Sequence, residues 1–367
     1  ELGSDFLDEV IKSASRRPEK IVEAPASVSV ISARKIANSS EAIDPIRHLM
    51  NVPGVTVANY TANSMNIEMR SGNGLLGTAV LPLLDYRVIS TPAARSNFSY
   101  QYGLSNLDLE RIEVIRGTNS ALYGPGVEGG VVHFITKKAI DHPGTSAELY
   151  TGNLSSRGGA VRHAHANNTK TFGYKINFNY RKGDDFTLDL VEDASAIAGY
   201  AKTIYLPAIG SDGKIDASTP GTVLLGPSDT DPDGDGNPLT DNFTNYSANA
   251  HLEFRPNDDS EYVLAAGFAN GGGLFFSDLG PGYTQGNDYW YQARMQRGGL
   301  FAQAYHNYND GGSLEAPTFV YGTGLSQIAE RSNTEVQIQY SFDLGSSEFL
   351  IGCLLYTSPS PRDVEES

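Results

Sequence analysis

Three stretches in the second half of the chain alternate so regularly that few architectures can hold them. Tyr174, Ile176, Phe178 and Tyr180 interleave with Lys175, Asn177, Asn179 and Arg181. Tyr246, Ala248, Ala250, Leu252 and Phe254 interleave with Ser247, Asn249, His251, Glu253 and Arg255. Val336, Ile338, Tyr340 and Phe342 do the same with Glu335, Gln337, Gln339 and Ser341. A period of two puts the apolar residues of each stretch on one face of a strand and the polar ones on the other. Each run is about ten residues, enough to cross a bilayer when tilted, and an apolar face backed by a strongly polar one is the pattern of a transmembrane β-barrel with a wet interior. Backbone groups in lipid must pair within the protein, so such strands can span only as part of a closed barrel.

About nine strands of this kind are legible, starting near Thr145, Arg157, Gly173, Tyr246, Glu261, Tyr289, Leu300, Thr334 and Glu348. Short connections at 167–171, 256–260, 297–299 and 345–347 alternate with long ones at 183–245, 271–288 and 310–333. Short periplasmic turns and long outer loops are the rule for such barrels, and only the short first connection, near 153–156, departs from it. A soluble antiparallel sandwich also shows one polar face per strand, but it does not need ten-residue spans or so long a connection as 183–245.

The first half is organised around residues 107–138, LDLERIEVIRGTNSALYGPGVEGGVVHFITKK. Charge and aliphatic alternate from Glu110 to Arg116, which predicts a half-buried strand ended by Gly117. A helical turn over 119–123 stops at Gly124, a residue suited to a left-handed helix cap. A second apolar strand, 131–136, closes on Lys137 and Lys138. Strand, turn, short helix and strand within so few residues make a compact supersecondary unit.

That run, ERIEVIRG-x-x-SALYG-x-x-x-x-GGVVHFITKK, resembles the closing part of the plug domain of TonB-dependent outer-membrane receptors. Further landmarks follow the family's order: the strand APASVSVIS at 24–32, NVPGVTV at 51–57, MNIEMRS at 65–71 and VLPLLD at 80–85. Two positions depart from the pattern, Ser71 and Tyr86, each standing where the family has glycine. The resemblance implies an α+β plug domain followed by an antiparallel transmembrane β-barrel. The barrel would be incomplete, with about nine of the family's usual roughly twenty-two strands. It divides the chain into 1–21 (TonB box and linker), 22–143 (plug), 144–352 (partial barrel with long outer loops) and 353–367. The last segment drops the alternation, holds Cys353, and reads as a non-native tail outside the fold.

The resemblance also names residues. Asp8, Glu9, Val10, Ile11, Lys12 and Ser13 stand at the TonB box, where an extended tail without a core of its own would offer free backbone groups for strand addition to the periplasmic protein TonB. Arg70, Arg111, Glu113, Arg116, Gly117, Tyr123 and Gly124 carry the plug motif. By similarity Arg111, Glu113 and Arg116 would face carboxylates on the barrel wall. The implied partners are TonB with its inner-membrane energising complex, a small external ligand and outer-membrane lipid. The implied function is import of a siderophore-iron complex, cobalamin, haem or an oligosaccharide. The alternative is a non-transporting binding or signalling receptor on the same scaffold.

Composition narrows the remaining classes. A formal charge of −16 excludes the basic patches of nucleic-acid binders. A single cysteine, Cys353, rules out an internal disulfide. No nucleophile triad, acid–base pair or phosphate loop is visible, so the chain does not read as an enzyme, and no cofactor is required. His163 and His165 share one face of a predicted strand and read as polar lumen residues. Tyr283, Tyr289, Trp290 and Tyr291 suit either ligand stacking or an interfacial aromatic belt. In the longest loop Asp231, Asp233 and Asp235 precede Gly236 with Asp241 further on. Oxygen ligands on alternate residues with a glycine at the turn suit Ca²⁺, but the position of the bidentate Glu is held by Asn242. The segment is either a structural Ca²⁺ loop or a solvated acidic one. Calorimetric titration of the intact protein separates the two: Ca²⁺ binding below millimolar that is lost in Asp233→Asn/Asp235→Asn marks a calcium loop, and absence of heat up to millimolar leaves only the acidic loop.

Overall fold

The computed structural model describes residues 10–11, 19–20, 26–39, 44–70, 79–92, 99–118, 120–124, 127–186, 205–209, 215–222, 242–277, 280–310, 318–320, 326–327, 330–345 and 347–357. The calcium-loop candidates Asp231, Asp233, Asp235 and Asp241 lie outside them, as do Asp8, Glu9, Lys12 and Ser13.

The N-terminal half forms a small α+β globule. Its strands are β1 (Val10–Ile11), β2 (Glu19–Lys20), β3 (Ser27–Ser32), β4 (Thr56–Asn59), β5 (Met65–Glu68), β6 (Val80–Leu84), β7 (Arg87–Val88), β8 (Leu109–Arg116) and β9 (Gly130–Thr136). Five of them make one sheet in the order β3-β8-β9-β6-β7, parallel only between β6 and β9. Short helical pieces, Ala33–Ala37 and Pro45–Asn51, cover it. Ile31, Ile46, Leu49, Met65, Ile112, Val114, Val132 and Phe134 build the larger core, because the half-buried alternation of β8 turns Ile112 and Val114 to one side. The helical turn Ser120–Tyr123 ends at Gly124 with φ +78°, as its cap chemistry requires.

The C-terminal half is a single antiparallel wall. Its strands are β10 (Gly144–Thr151), β11 (Arg157–Ala166), β12 (Phe172–Asp184), β15 (Asn242–Asn257), β16 (Ser260–Ser277), β17 (Gly280–Arg297), β18 (Leu300–Asn309), β21 (Arg331–Leu344) and β22 (Ser347–Thr357), each paired with the next. A separate hairpin, β13 (Tyr205–Ile209) with β14 (Ile215–Thr222), lies within the longest connection, and β19 (Thr318–Val320) with β20 (Ser326–Gln327) joins the outer part of β17.

Burial in the wall is inverted. Ile176, Phe178, Leu252, Phe254, Ile338 and Tyr340 are exposed, whereas Lys175, Asn177, His251, Glu253, Gln337 and Gln339 are buried. A soluble sandwich buries its apolar face, so this inversion decides for a lumen-filled barrel wall. Aromatic pairs on the outer face, Phe254 with Tyr262 and Tyr340 with Phe342 toward one rim and Tyr246 with Phe268 toward the other, match interfacial girdles.

Two expectations need correction. The connection 271–288 is not a loop: β16 and β17 stay paired as far as Ser277 and Gly280. Alternation fails there because glycines stand where the globule presses on the wall. A Cβ on Gly271 would lie 2.9 Å from the Tyr100 ring, and one on Gly273 would lie 2.9 Å from the Asn63 amide. The tail also does not leave the fold at Cys353, since Cys353–Thr357 continue β22 against β21; a backbone ladder does not require alternating side chains.

Among the described glycines of the globule, Gly129 and Gly130 leave the least room for a side chain beside neighbouring backbone. A Cβ on Gly129 would sit 2.7 Å from the Met69 carbonyl oxygen and 3.2 Å from that of Ala79. Gly129→Val is therefore expected to destabilise the globule by about 3 kcal/mol, seen as faster protease cleavage within residues 26–138 while the wall stays inserted.

Candidate functional site

The globule and the wall meet across a buried polar interface, and its chemistry begins with Asp108. The turn before β8 presents this side chain to β11 and β12. Arg162 Nε donates to one carboxylate oxygen at 2.8 Å, and Lys175 Nζ donates to the other at 2.8 Å. Lys175 also donates to Thr136 Oγ1 at 2.6 Å and to the Lys137 carbonyl at 2.9 Å, and is 1% exposed. Asn177 adds a 3.0 Å bond to the same carboxylate. Both cations occupy inward positions of their strands, so the period-two pattern aims them at the globule.

The junction between the halves is bonded residue by residue. Lys138 pairs with Glu261. The Ala139 and Ile140 N–H groups donate to the two Glu253 oxygens at 2.9 and 3.2 Å. Asp141 takes a bidentate pair from Arg255, 2.8 Å at each contact, and the His142 carbonyl accepts from Arg162 at 2.9 Å.

On the opposite side the turn between β6 and β7 enters the wall. Asp85 and Tyr86 hold left-handed backbone, φ +46° and +73°. Tyr86 is one of the positions where glycine was expected, and the conformation explains that preference. Its N–H donates to His133 Nε2 at 3.0 Å and its ring meets His133 edge-on at a centroid distance of 4.5 Å. Arg87 lies 4.1 Å over the Trp290 ring and donates to Asn307 at 2.9 Å; burial pushes its guanidinium down to about 10. Burial opposes ionisation of Asp85, yet the Lys175 and Arg294 cations and the Thr136 donors together hold its carboxyl well below the usual carboxylate range.

The motif residues sit differently from the expectation. Arg111 bonds Glu113 at 2.6 Å and Glu110 at 3.2 Å along its own strand. Arg116 reaches the Pro53 carbonyl at 2.7 Å and Ser27 Oγ at 3.0 Å. Among the described residues, then, the two arginines take partners inside the globule, and the polarity of the interface is mostly the reverse: the globule supplies Asp108, Asp44 and Asp141, and the wall supplies Arg162, Lys175, Arg181 and Arg255. Sequence reasoning passed over Asp108, whose signal was its place beside the motif, and Lys175, a lysine on an inward position. Arg70 is exposed with φ +63°, Gly117 has φ +113°, and Tyr123 packs against the smaller core. His163 and His165 are not lumen residues: they share the exposed outer face with Val161, because Arg162 takes the inward parity. Tyr289 and Tyr291 also face outward, whereas Trp290 lies under Arg87. Of the TonB-box candidates, Val10 and Ile11 pair with Glu19 and Lys20, and Ile11 is buried beside Val28, Leu81 and Val131. This corrects the expectation of a tail with no core contact. Among the described residues no group of three or more His, Cys, Asp or Glu could hold a metal ion.

A globule seated in an inverted strand wall is the arrangement that the sequence motifs anticipated. The family model described as "TonB-dependent Receptor Plug Domain" matches residues 20–131. The chain resembles the TonB-dependent outer-membrane receptors, with the plug-domain match confined to residues 20–131. It is similar to the ferric enterobactin receptor PirA of Pseudomonas aeruginosa, 32% identical over 43% of this chain and 22% of that protein. It is likewise similar to the vitamin B12 transporter BtuB of Vibrio vulnificus, 30% identical over 45% of this chain and 26% of that one. A crystal structure of a mutant ferric enterobactin receptor, PfeA of Pseudomonas aeruginosa, superposes with a TM-score of 0.58 at 17% identity, covering 94% of this chain and 50% of that one. The matches thus span about a quarter of the curated relatives' length and half of the solved receptor. The globule corresponds to the plug of those receptors and the wall to a part of their barrel, an architecture of the outer membrane.

The depressed Asp85 ionisation carries a sign. A carboxyl lowered on folding stabilises above its unfolded value, about 3.9, and that contribution is lost as pH falls through the folded value. Protease resistance of the plug is expected to decline below about pH 4, and Asp85→Asn is expected to flatten that decline while lowering resistance at pH 7.

Proposed function

We propose that the chain is the plug and the first part of the barrel of a receptor that captures a scarce external ligand and imports it with energy relayed by TonB. On this reading residues 1–21 hold the TonB-binding segment, 22–143 the plug and 144–352, continued by β22 as far as Thr357, the wall. The observation that supports it is the plug seated against a wall whose inner face is spent on holding it. A barrel filled in this way is closed, the outer membrane has no local energy source, and ligand binding alone would trap the ligand. A mechanical link to the inner membrane answers that need, and strand addition at Asp8–Ser13 would provide it. Ile11 would first have to leave its apolar site, so engagement and loosening of the plug edge are coupled. Similarity to a ferric enterobactin receptor and to a vitamin B12 transporter favours a metal-chelate ligand, a siderophore-iron complex, cobalamin or haem, over an oligosaccharide.

The test uses the full-length receptor in its own cells. Iron starvation is expected to raise its expression, and uptake of ferric siderophores is expected to stop when TonB is deleted. Ile11→Pro is expected to reduce capture of the receptor by the periplasmic TonB domain at least tenfold, because a ladder N–H and the β geometry are both lost. Ligand binding without TonB-dependent uptake would turn the reading into a non-transporting receptor, and induction by glycans in place of iron limitation would move the ligand to oligosaccharides.

A further inference from the structure

The plug is held by two kinds of chemistry on two sides. Among the described residues every plug–wall ion pair falls on β11, β12, β15 or β16: Asp108 with Arg162 and Lys175, Asp44 with Arg181, Asp141 with Arg255, and Lys138 with Glu261. On β17, β18 and β21 the wall meets the plug mainly with side-chain amides, aimed at main-chain carbonyls. Gln292 donates to Asp85 O at 2.9 Å, Gln303 to Tyr86 O at 3.1 Å, Asn307 to Val88 O at 3.0 Å, and Gln337 to Leu122 O at 3.1 Å.

These amides also bond one another across the strands. Gln292 donates to Gln303 at 3.1 Å, Gln303 to Gln337 at 3.0 Å, and Asn307 to Asn333 at 3.2 Å. Two cations reach this side: Arg294 donates to Asp85 O at 2.9 Å and lies 3.7 Å from Glu261 of the wall, and Arg87 lies over Trp290; among the described residues neither forms a plug–wall ion pair.

The two sides respond differently to load. A neutral amide–carbonyl bond exchanges for water at small net loss, and the amide ladder keeps its internal bonds after the plug departs. Separation at β11 and β12 would instead break several charge-assisted bonds at once, those of Lys175, Arg162 and Asn177 to Asp108, each costing more than a neutral one. The strained, left-handed turn at Asp85–Tyr86 sits on the side that yields easily.

We propose that the plug parts from the β17–β18–β21 sector first while the junction 137–142 stays bound, so that the passage opens along the amide-lined sector. This rests on the transport reading above. The passage would then be polar, lined mostly by amides with Asp288, Arg294 and Glu335 among them, and rich in donors and acceptors, suited to a hydrated, oxygen-rich ligand.

Native-state hydrogen exchange on the full-length receptor in a lipid bilayer reads the order without ligand or TonB. With rising urea, the freed left-handed turn relaxes and its bonds to His133 and Pro82 open, so the Tyr86 and Ile89 amides are expected to lose protection in a step before those of Ala139 and Ile140. Gln303→Leu is expected to speed exchange at 84–88 about tenfold and leave 137–142 unchanged. Glu253→Ala should do the reverse. Loss of protection on both sides together, or first at 137–142, overturns the proposal.

Labelling then separates it from the transport reading. In a Cys353→Ser background, Asn307→Cys is expected to react with an impermeant maleimide in energised cells and Asn177→Cys to stay protected. Equal reaction of the two overturns the sector. A preference for Asn307→Cys that persists unchanged without TonB keeps the sector and removes the energy coupling.

Discussion

Lys175 extends from a membrane-spanning strand into the lumen, where it is almost wholly removed from solvent. A buried ammonium is tolerated only with an anion and further acceptors around it, and here Asp108, Thr136 and the Lys137 carbonyl provide them. All three belong to the plug. The wall strand therefore cannot satisfy its own inner face, and the plug's place in the barrel is written into the wall as an unmet charge. The same holds in reverse for Glu253, which receives two N–H groups of the junction. Plug and wall are separate in sequence but share one set of buried polar partners.

That dependence follows from the membrane. The outer face of each strand must be apolar because lipid offers no hydrogen bonds, and a period of two then leaves every alternate residue to the lumen. With a plug in the lumen, those residues must bond to it or to each other. Amides do both at once, since one carboxamide has two donors and an acceptor. The series Gln292, Gln303 and Gln337 is built on this property: each uses one N–H toward the plug backbone, and the first two use the other toward the next strand. Because the wall reads carbonyls there, it constrains the plug's path and places little demand on its side chains.

Much of this was legible in the chain. The alternation marked the wall strands and most of their starts, though not that of β17 at Gly280, because lipid outside and polar lumen inside impose the period on the strands. The connection 271–288 was misread for a definable reason: the glycines that admit Tyr100 and Asn63 erase the alternation while the backbone ladder continues. The motif arginines were placed on the wall by similarity, whereas the short sequence distance between Arg111 and Glu113 lets the pair close within one strand face. Parity along a strand tells which residues share a side but not which side is inward, and for His163 the deciding fact was Arg162's need for Asp108. Interface partners far apart in sequence leave no local signature.

Tyr86 shows how such a contact can be built from departures that look like defects. A left-handed turn costs a tyrosine more than a glycine, so in isolation the substitution weakens the hairpin. In place it brings a ring that packs edge-on against His133, lies 5.2 Å from Phe301 and accepts the Arg294 cation at 5.2 Å. His133 accepts the N–H of the same residue, and the wall amides take the turn's carbonyls. The strain is held by contacts on both the plug and the wall, and only the wall contacts are lost when the two separate. A turn of this kind is stable when docked and eager to relax when freed, which places a stored bias on the side of the plug that the wall grips with neutral bonds.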